Sequence, residues 1–329
     1  MPTSPDSPSP AAPELPDLAV IRAAAERIAP HVHRTPVLRC SALDRLAGAR
    51  LHFKCEPFQR GGAFKVRGAT NAVLSLGEEE ARRGVVTHSS GNHGAALALA
   101  ARTRGIPAWV VMPEDAPRVK REAVAGYGAT VVLCEPTAEA RAATAERVVG
   151  ETGAALVHSY DDPRVIAGQG TVALELLAQV ARLDAVVVPV GGGGLISGVA
   201  IAVAALAPGT RVLGAEPAAA DDAARSLAAG RLLPNPPGRV ATVADGLKAS
   251  LAERTFLAVG RHVERVVVVS EEEIVAAMCR VWERMKVIVE PSAAVAVAAV
   301  LSGVFAGAEP PEVGVVLSGG NVDLDRLPW

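Results

Sequence analysis

What most limits this chain is the order of its apolar segments. Short runs with the pattern of strands are Leu51–Cys55, Val85–His88, Ala108–Met112, Thr130–Cys134, Ala155–His158, Ala185–Val190, Arg211–Ala215, Arg265–Val269 and Val313–Leu317. Between them lie segments of helical period: Leu18–Ala29, Asn92–Arg102, Arg118–Ala125, Ala138–Val149, Val165–Val180, Leu195–Leu206, Asp221–Ala229, Glu271–Met285 and Pro291–Leu301. Ala185–Val190 is apolar at every position, as a strand covered on both faces must be. Repeated βα units of this kind predict an α/β fold with open parallel or mixed sheets and helices on both faces. Residues 84–153 read as a small domain inserted into a larger one made of 18–83 and 154–329. Residues 1–17 are rich in Pro and Ser, with neither a basic nor an apolar region of a signal peptide, and read as a disordered tail.

In open α/β sheets ligands bind beyond the carboxyl ends of the strands. Three such junctions carry unusual residues: Thr87–Gly94 (THSSGNHG), Val190–Gly198 (VGGGGLISG) and Leu317–Asn321 (LSGGN). Gly191, Gly192, Gly193 and Gly194 present bare N–H groups beside a helix start, an arrangement suited to phosphate. A turn rarely needs four glycines, each costing up to about 1 kcal/mol relative to Ala. The dinucleotide fingerprint and the Walker lysine are both missing, which argues against a nicotinamide enzyme and a P-loop. The Ser89-Ser90-Gly91-Asn92-His93 loop can hold a carboxylate or a cofactor oxygen, move a proton, or cap a helix. Glu216, Asp221 and Asp222 lie between a strand end and a helix start, where spacing alone allows either a helix cap or a hard-cation site.

Lys65 follows Phe64 in the glycine-rich stretch Gly61–Ala69 and opens a helix of period 3.6. A cation is disfavoured there by the helix dipole, and loss of the charge relieves the cost. A lysine of shifted pKa, committed to an aldehyde cofactor, fits the position; so does a surface lysine at a turn.

Half of the chain is apolar and the net charge is −2, which favours neither nucleic acid nor a membrane surface as partner. No apolar run reaches the roughly 18 residues of a membrane span. Cys40, Cys55, Cys134 and Cys279 are scattered and read as thiols of a reduced, cytoplasmic protein.

On these motifs the chain resembles the fold-type-II pyridoxal-phosphate enzymes, whose fold is that of the tryptophan synthase β-subunit. Within them it is similar to the serine/threonine dehydratases and to eukaryotic-type serine racemases. The similarity runs from Leu18 to Trp329 and includes Phe53–Glu56, Phe64–Ala69, Thr87–Gly94, Ile166–Thr171, Pro189–Gly194, Ala244–Gly246, Trp282–Lys286 and Leu317–Asp323. The resemblance implies that Lys65 carries the cofactor and acts as base on one face of the substrate. It implies that Phe64 lies near the ring, Asn92 holds the 3′-oxygen, Gly191–Gly194 the phosphate, and Ser318 faces the ring nitrogen. A serine there, in place of a carboxylate, leaves that nitrogen largely neutral and favours prompt elimination or reprotonation. Ser89, Ser90, Asn92, His93 and Arg141 match residues that hold or flank the substrate carboxylate, and Ser90 matches the racemase proton carrier of the opposite face. Glu216, the Ala220 carbonyl and Asp222 match a site for Mg²⁺, Ca²⁺ or Mn²⁺. The resemblance also raises a nucleotide activator and a homodimer.

The chain departs from the pattern at two positions, with Ala63 where many relatives carry Ser and Tyr160 where mammalian serine racemases carry Asn. Both bear on substrate preference. No appended regulatory module follows the matched region, so isoleucine feedback is not expected. The expected activity is serine racemisation with L-serine and L-threonine ammonia-lyase activity. The alternative is a dehydratase without racemase activity, acting on threonine, 3-hydroxyaspartate or a related hydroxy amino acid.

Overall fold

The computed structural model describes residues 13–89, 91–116, 118–236, 240–307 and 309–329. In chain order its main elements are α1 (Leu18–Ile28), β1 (Val37–Leu38), α2 (Ser41–Ala47), β2 (Arg50–Cys55), α3 (Lys65–Leu74) and α4 (Glu78–Arg83). There follow β3 (Val85–His88), α5 (Asn92–Arg104), β4 (Ala108–Pro113), α6 (Arg118–Gly126), β5 (Thr130–Cys134), α7 (Ala138–Thr152) and β6 (Ala155–Leu156). The remainder is α8 (Pro163–Gln179), β7 (Ala185–Pro189), α9 (Gly194–Leu206), β8 (Arg211–Pro217), α10 (Asp222–Ala229), α11 (Glu253–His262), β9 (Arg265–Val269), α12 (Glu271–Met285), α13 (Pro291–Leu301) and β10 (Glu312–Leu317).

These form a six-stranded sheet of order β1-β2-β10-β7-β8-β9 and a four-stranded sheet of order β5-β4-β3-β6. Every pairing is parallel except β1 with β2. The chain leaves the larger sheet after β2, builds the smaller one from Val85 to Leu156, and returns at β7. Alternation along each strand sends side chains into separate cores. Ala185 and Val187 join Phe53, Val313 and Val315 under α12 and α13. Val186 and Val188 join Val316 in a second core with residues of α1, α8 and α9. The helices are started by local chemistry. Asp162 accepts from Arg164 N at 2.8 Å ahead of Pro163, and Ser270 with Glu273 closes a reciprocal cap on α12.

Of the expected tail, residues 1–12 lie outside the described residues, while Asp17 caps α1 through Val20 N at 2.9 Å. The predicted strand Ala155–His158 ends at Leu156, because the chain turns away to place His158 and Tyr160 beside the smaller sheet's other strand ends. The short elements β1, α2 and α4, and the longer α11, were not expected from periodicity.

Three helices are locked together where side chains are absent. A Cβ at Gly168 on α8 would lie 2.6 Å from the Arg67 carbonyl oxygen on α3, and one at Gly198 on α9 would lie 2.3 Å from the Ile166 oxygen on α8. Beside this crossing is a buried ion network. The Arg67 guanidinium, fully buried, forks onto Glu56 at 2.7 and 2.9 Å and onto Glu175 at 2.7 and 2.9 Å. Lys54, also fully buried, donates to Glu175 at 2.6 Å, to Thr35 O at 2.7 Å and to Gln179 at 2.9 Å. Burial disfavours both cations. For Lys54 it prevails and lowers the pKa, whereas for Arg67 the attraction of Glu56 and Glu175 outweighs it.

Removing one partner of a buried pair strands the other, at about 3–5 kcal/mol. Glu56→Ala is therefore expected to lower unfolding stability by about that amount. Guanidinium or urea denaturation checks it, and a shift within about 0.5 kcal/mol, typical of an innocuous surface change, would contradict the network's role.

Candidate active site

The parallel strands of the larger sheet deliver their carboxyl ends to one edge, with Leu317 beside Cys55 and Pro189 beside Ala215. The loops that follow are those singled out in the sequence. Lys65 begins α3, and its Nζ donates to Ser159 O at 2.9 Å and lies 5.1 Å from the Phe64 ring centroid. Burial pulls its pKa down to about 8, partly opposed by the Glu290 carboxylate. Phe64 N donates to Ser318 O at 3.0 Å, and Ala63 bridges Gly319, so the lysine loop is pinned to the loop after β10.

The glycine loop after β7 has no room for side chains. Gly193 has φ +87 and precedes α9; a Cβ there would lie 2.5 Å from Leu251 Cδ2, and one at Gly192 2.3 Å from the Tyr160 ring. Only glycine satisfies both the backbone angle and the contact. The N–H groups open α9, whose positive dipole end favours an anion.

From the smaller sheet, Asn92 and His93 open α5. Asn92 does not cap its helix: its Nδ2 donates to Glu290 Oε1 and Oε2 at 2.9 and 3.1 Å. Ser89 Oγ accepts from Gly91 N at 3.3 Å. Ser90 lies outside the described residues. His93 is buried, pairs through Nε2 with Val157 O at 3.3 Å, and its Nδ1 meets no partner among the described residues. Three imidazoles meet here, with His158 in edge contact with His88 and Tyr160 at centroid distances of 5.6 and 4.6 Å. Burial, then nearby positive charge, holds His93 well below its usual pKa. Burial and then His88 bring His158 down to about 4. Arg141, half-buried on the first turn of α7, donates to Thr137 O at 3.2 Å, and its charge reaches His88, Cys134 and Tyr160.

Glu216, near the end of β8, and Asp222, which opens α10, are both buried. Neither acidic residue at the start of α10 caps it through its side chain; Glu216 does, accepting from Ala223 N at 3.2 Å and Ala224 N at 2.8 Å. Asp222 accepts from Leu251 N at 2.8 Å and Asn235 Nδ2 at 3.0 Å. Burial raises Glu216 to about 8 and Asp222 to about 6. Among the described residues no three or more His, Cys, Asp or Glu side chains cluster to hold a metal. The corner's donors are two carboxylates with lone pairs to spare and the carbonyl of buried Ala220, all hard oxygens.

Glu290 and His158 are parts of this constellation that the sequence did not reveal, whereas Asn321 ends the Leu317–Asn321 loop that it did. Glu290 stands before Pro291, where a carboxylate reads as an ordinary helix start.

Residues 28–319 match the family described as pyridoxal-phosphate dependent enzyme, and the chain belongs to that family. It is thus an enzyme that works with pyridoxal phosphate, and the bare glycine loop beside a desolvated lysine fits a phosphate-bearing aldehyde. It is 51% identical to a serine racemase of Arabidopsis thaliana, over 94% of this chain and 95% of that one. It is 50% identical to a beta-hydroxyaspartate dehydratase of Paracoccus denitrificans, over 96% of this chain and 99% of that one. The solved structure of maize serine racemase superposes with a TM-score of 0.91 at 49% identity, covering 94% of each chain.

With its pKa near 8, Lys65 loses its proton well before an exposed lysine does. In the cofactor-free protein, acylation of Lys65 by a limiting amine reagent, followed by mass spectrometry, should reach half its maximal rate near pH 8. Surface lysines should do so near the ordinary lysine value of about 10.4; a Lys65 midpoint there as well would refute the desolvation.

Proposed function

We propose that this enzyme racemises serine and also eliminates water from L-serine and L-threonine, yielding D-serine, and pyruvate or 2-oxobutanoate with ammonia. The observation that carries the reading is the pairing of a desolvated Lys65 with a glycine loop closed to side chains at the same strand ends. The likeness to serine racemases over nearly the whole chain supports it. Pyridoxal phosphate, when bound, withdraws electrons from the substrate's Cα and makes its proton removable.

In this reading Gly191–Gly194 hold the phosphate, Asn92 the 3′-oxygen and Ser318 the ring nitrogen, with Phe64 at the ring. Lys65 carries the cofactor and takes the Cα proton on one face, its lowered pKa leaving a large neutral fraction near pH 8. Ser89, Ser90, Asn92, His93 and Arg141 receive the substrate carboxylate. Arg141 belongs to residues 84–153, which we take as a small domain that closes on the substrate and excludes water. Ser90 delivers a proton to the opposite face; alternatively the β-hydroxyl departs as water, ending in the 2-oxo acid and ammonia. The neutral imidazoles add no positive charge to compete for the carboxylate.

A second reading is dehydration without racemisation, on threonine, 3-hydroxyaspartate or a related hydroxy amino acid. The likeness to the Paracoccus dehydratase favours it, and Arg141 near His88 and Tyr160 offers donors to a second carboxylate. Chiral amino-acid analysis with a 2-oxo-acid assay across hydroxy amino acids separates the two. Ser90→Ala should abolish conversion of L-serine to D-serine while leaving elimination from L-serine largely intact, and should reduce elimination from D-serine. Racemisation at the wild-type rate in that variant would place the second proton carrier elsewhere.

The proposal includes Mg²⁺, Ca²⁺ or Mn²⁺ held by Glu216, the Ala220 carbonyl and Asp222, a nucleotide activator, a homodimer and a cytoplasmic setting. For the homodimer, half-exposed Phe58 and Ile288 belong to segments that meet around Gly320, and offer an apolar patch. For the cytoplasm, all four cysteines are unpaired. Chelation is expected to lower activity and Tm together, with recovery on adding the cation. Glu216→Ala with Asp222→Ala should erase that response; a double variant that still answers to chelator would remove the site.

A further inference from the structure

Glu290 is 4% exposed, and its backbone N–H donates to Gly319 O at 3.1 Å. Its side chain does not cap α13 but turns to Asn92, whose Nδ2 lies 2.9 and 3.1 Å from the two carboxylate oxygens. The other end of that amide is held as well. Asn321 Nδ2 donates to Asn92 Oδ1 at 2.9 Å and to Gly61 O at 2.7 Å. The two ends of an asparagine amide are nearly alike in size, and only hydrogen-bond demand tells them apart. An ionised carboxylate accepts and never donates, so the NH₂ end must face Glu290. Two oxygens of one carboxylate subtend too small an angle at the nitrogen to take both hydrogens. One N–H is therefore engaged and the second is left for a ligand.

We propose that Glu290 is a positioning residue for the cofactor: it holds the Asn92 amide so that an N–H, and not the carbonyl, meets the 3′-oxygen of pyridoxal phosphate. This rests on the assignment of Asn92 to that oxygen given above. With Glu290 replaced by an amide the discrimination is lost, since glutamine can donate or accept, and Asn92 can turn its carbonyl toward an anionic oxygen. The charge of Glu290 also acts on Lys65, in the direction of retaining its proton. The two roles have opposite signs in titration. A donor on the 3′-oxygen stabilises its anion and lowers the pH midpoint of the cofactor's visible band, so losing the donor raises it. Losing a negative charge alone lowers it.

The test is a double-mutant cycle on cofactor affinity, measured by fluorescence titration of the cofactor-free proteins with pyridoxal phosphate. Glu290→Gln and Asn92→Ala should each weaken binding about ten-fold, the worth of one ordinary hydrogen bond. The double variant should be no weaker than Asn92→Ala alone. On Glu290→Gln the visible band's midpoint should shift further toward high pH in the enzyme that keeps Asn92 than in the Asn92→Ala background, where only the charge is lost. Additive losses, or the same midpoint shift in both backgrounds, would overturn the proposal and leave Glu290 as a charge only. Should Glu290→Gln not fold, Glu290→Asp in the same cycle decides: coupling with Asn92→Ala supports the proposal and additivity overturns it. If Asn92→Ala leaves affinity unchanged, the assignment of Asn92 to the 3′-oxygen fails, and the inference fails with it.

Discussion

The structure turns on a charge that has no water. Arg67 is fully buried two residues beyond Lys65, and its guanidinium is satisfied from both sides by Glu56 and Glu175. A planar fork can bind two carboxylates in fixed directions, as an ammonium cannot. Glu56 follows β2 and Glu175 lies on α8, so the side chain sets α3 against the end of the sheet and against a second helix. Leaving Arg67 unpaired would cost far more than any surface contact could return, so the first turn of α3 has one available placement. Lys65 inherits that placement. On the other side of α8 the Gly198 contact with Ile166 brings α9 and its glycine loop into the same rigid block. Lysine and glycine loop, distant in sequence, are thus held relative to one another by this block, and they meet again at neighbouring residues, Lys65 on Ser159 O and Gly192 against Tyr160.

Electrostatics in the site follow from the same dryness. Desolvation is the leading cause of the downward shifts of Lys65, His93 and His158. Imidazoles that stay neutral can pack together without adding charges that must themselves be solvated. Arg141 on α7 and buried Glu290 at the start of α13 bring charge of opposite sign to bear on this group, Arg141 on His88 and Glu290 on Lys65.

Much of the fold was legible because each long element declares itself locally. Thr130–Cys134, Arg265–Val269, Glu271–Met285 and Pro291–Leu301 lie where their periodicity put them. Two-residue β1 and six-residue α4 are too short to show a period, and their positions are set by partners elsewhere. The candidate site was legible where its residues are consecutive, as in Phe64-Lys65 and Gly191–Gly194. It was not legible where its contacts depend on an encounter. Nothing near Glu290 in the sequence says that it will meet Asn92, 198 positions away. Likewise, where spacing allowed Asp221 or Asp222 to cap α10 or to join a hard-cation site, Glu216 reaches across from β8 to cap the helix.

That last exchange links the two oxygen-rich corners of the molecule. With Glu216 on the helix start, Asp222 is released to accept from Leu251 N at 2.8 Å. The side chain of Leu251 in turn fills the space beside Gly193, 2.5 Å from where a Cβ would stand. Thr255 closes the same side of Gly193, 2.8 Å from that position, and its hydroxyl is tied to Ala252. The glycine loop is therefore shaped by a wall whose anchor is the Asp222 carboxylate. Burial pushes both carboxylates of that corner toward their protonated forms, and a protonated Asp222 is a weaker acceptor for the Leu251 amide. Whatever keeps Asp222 charged keeps the Leu251 amide held, and with it the side chain that walls Gly193.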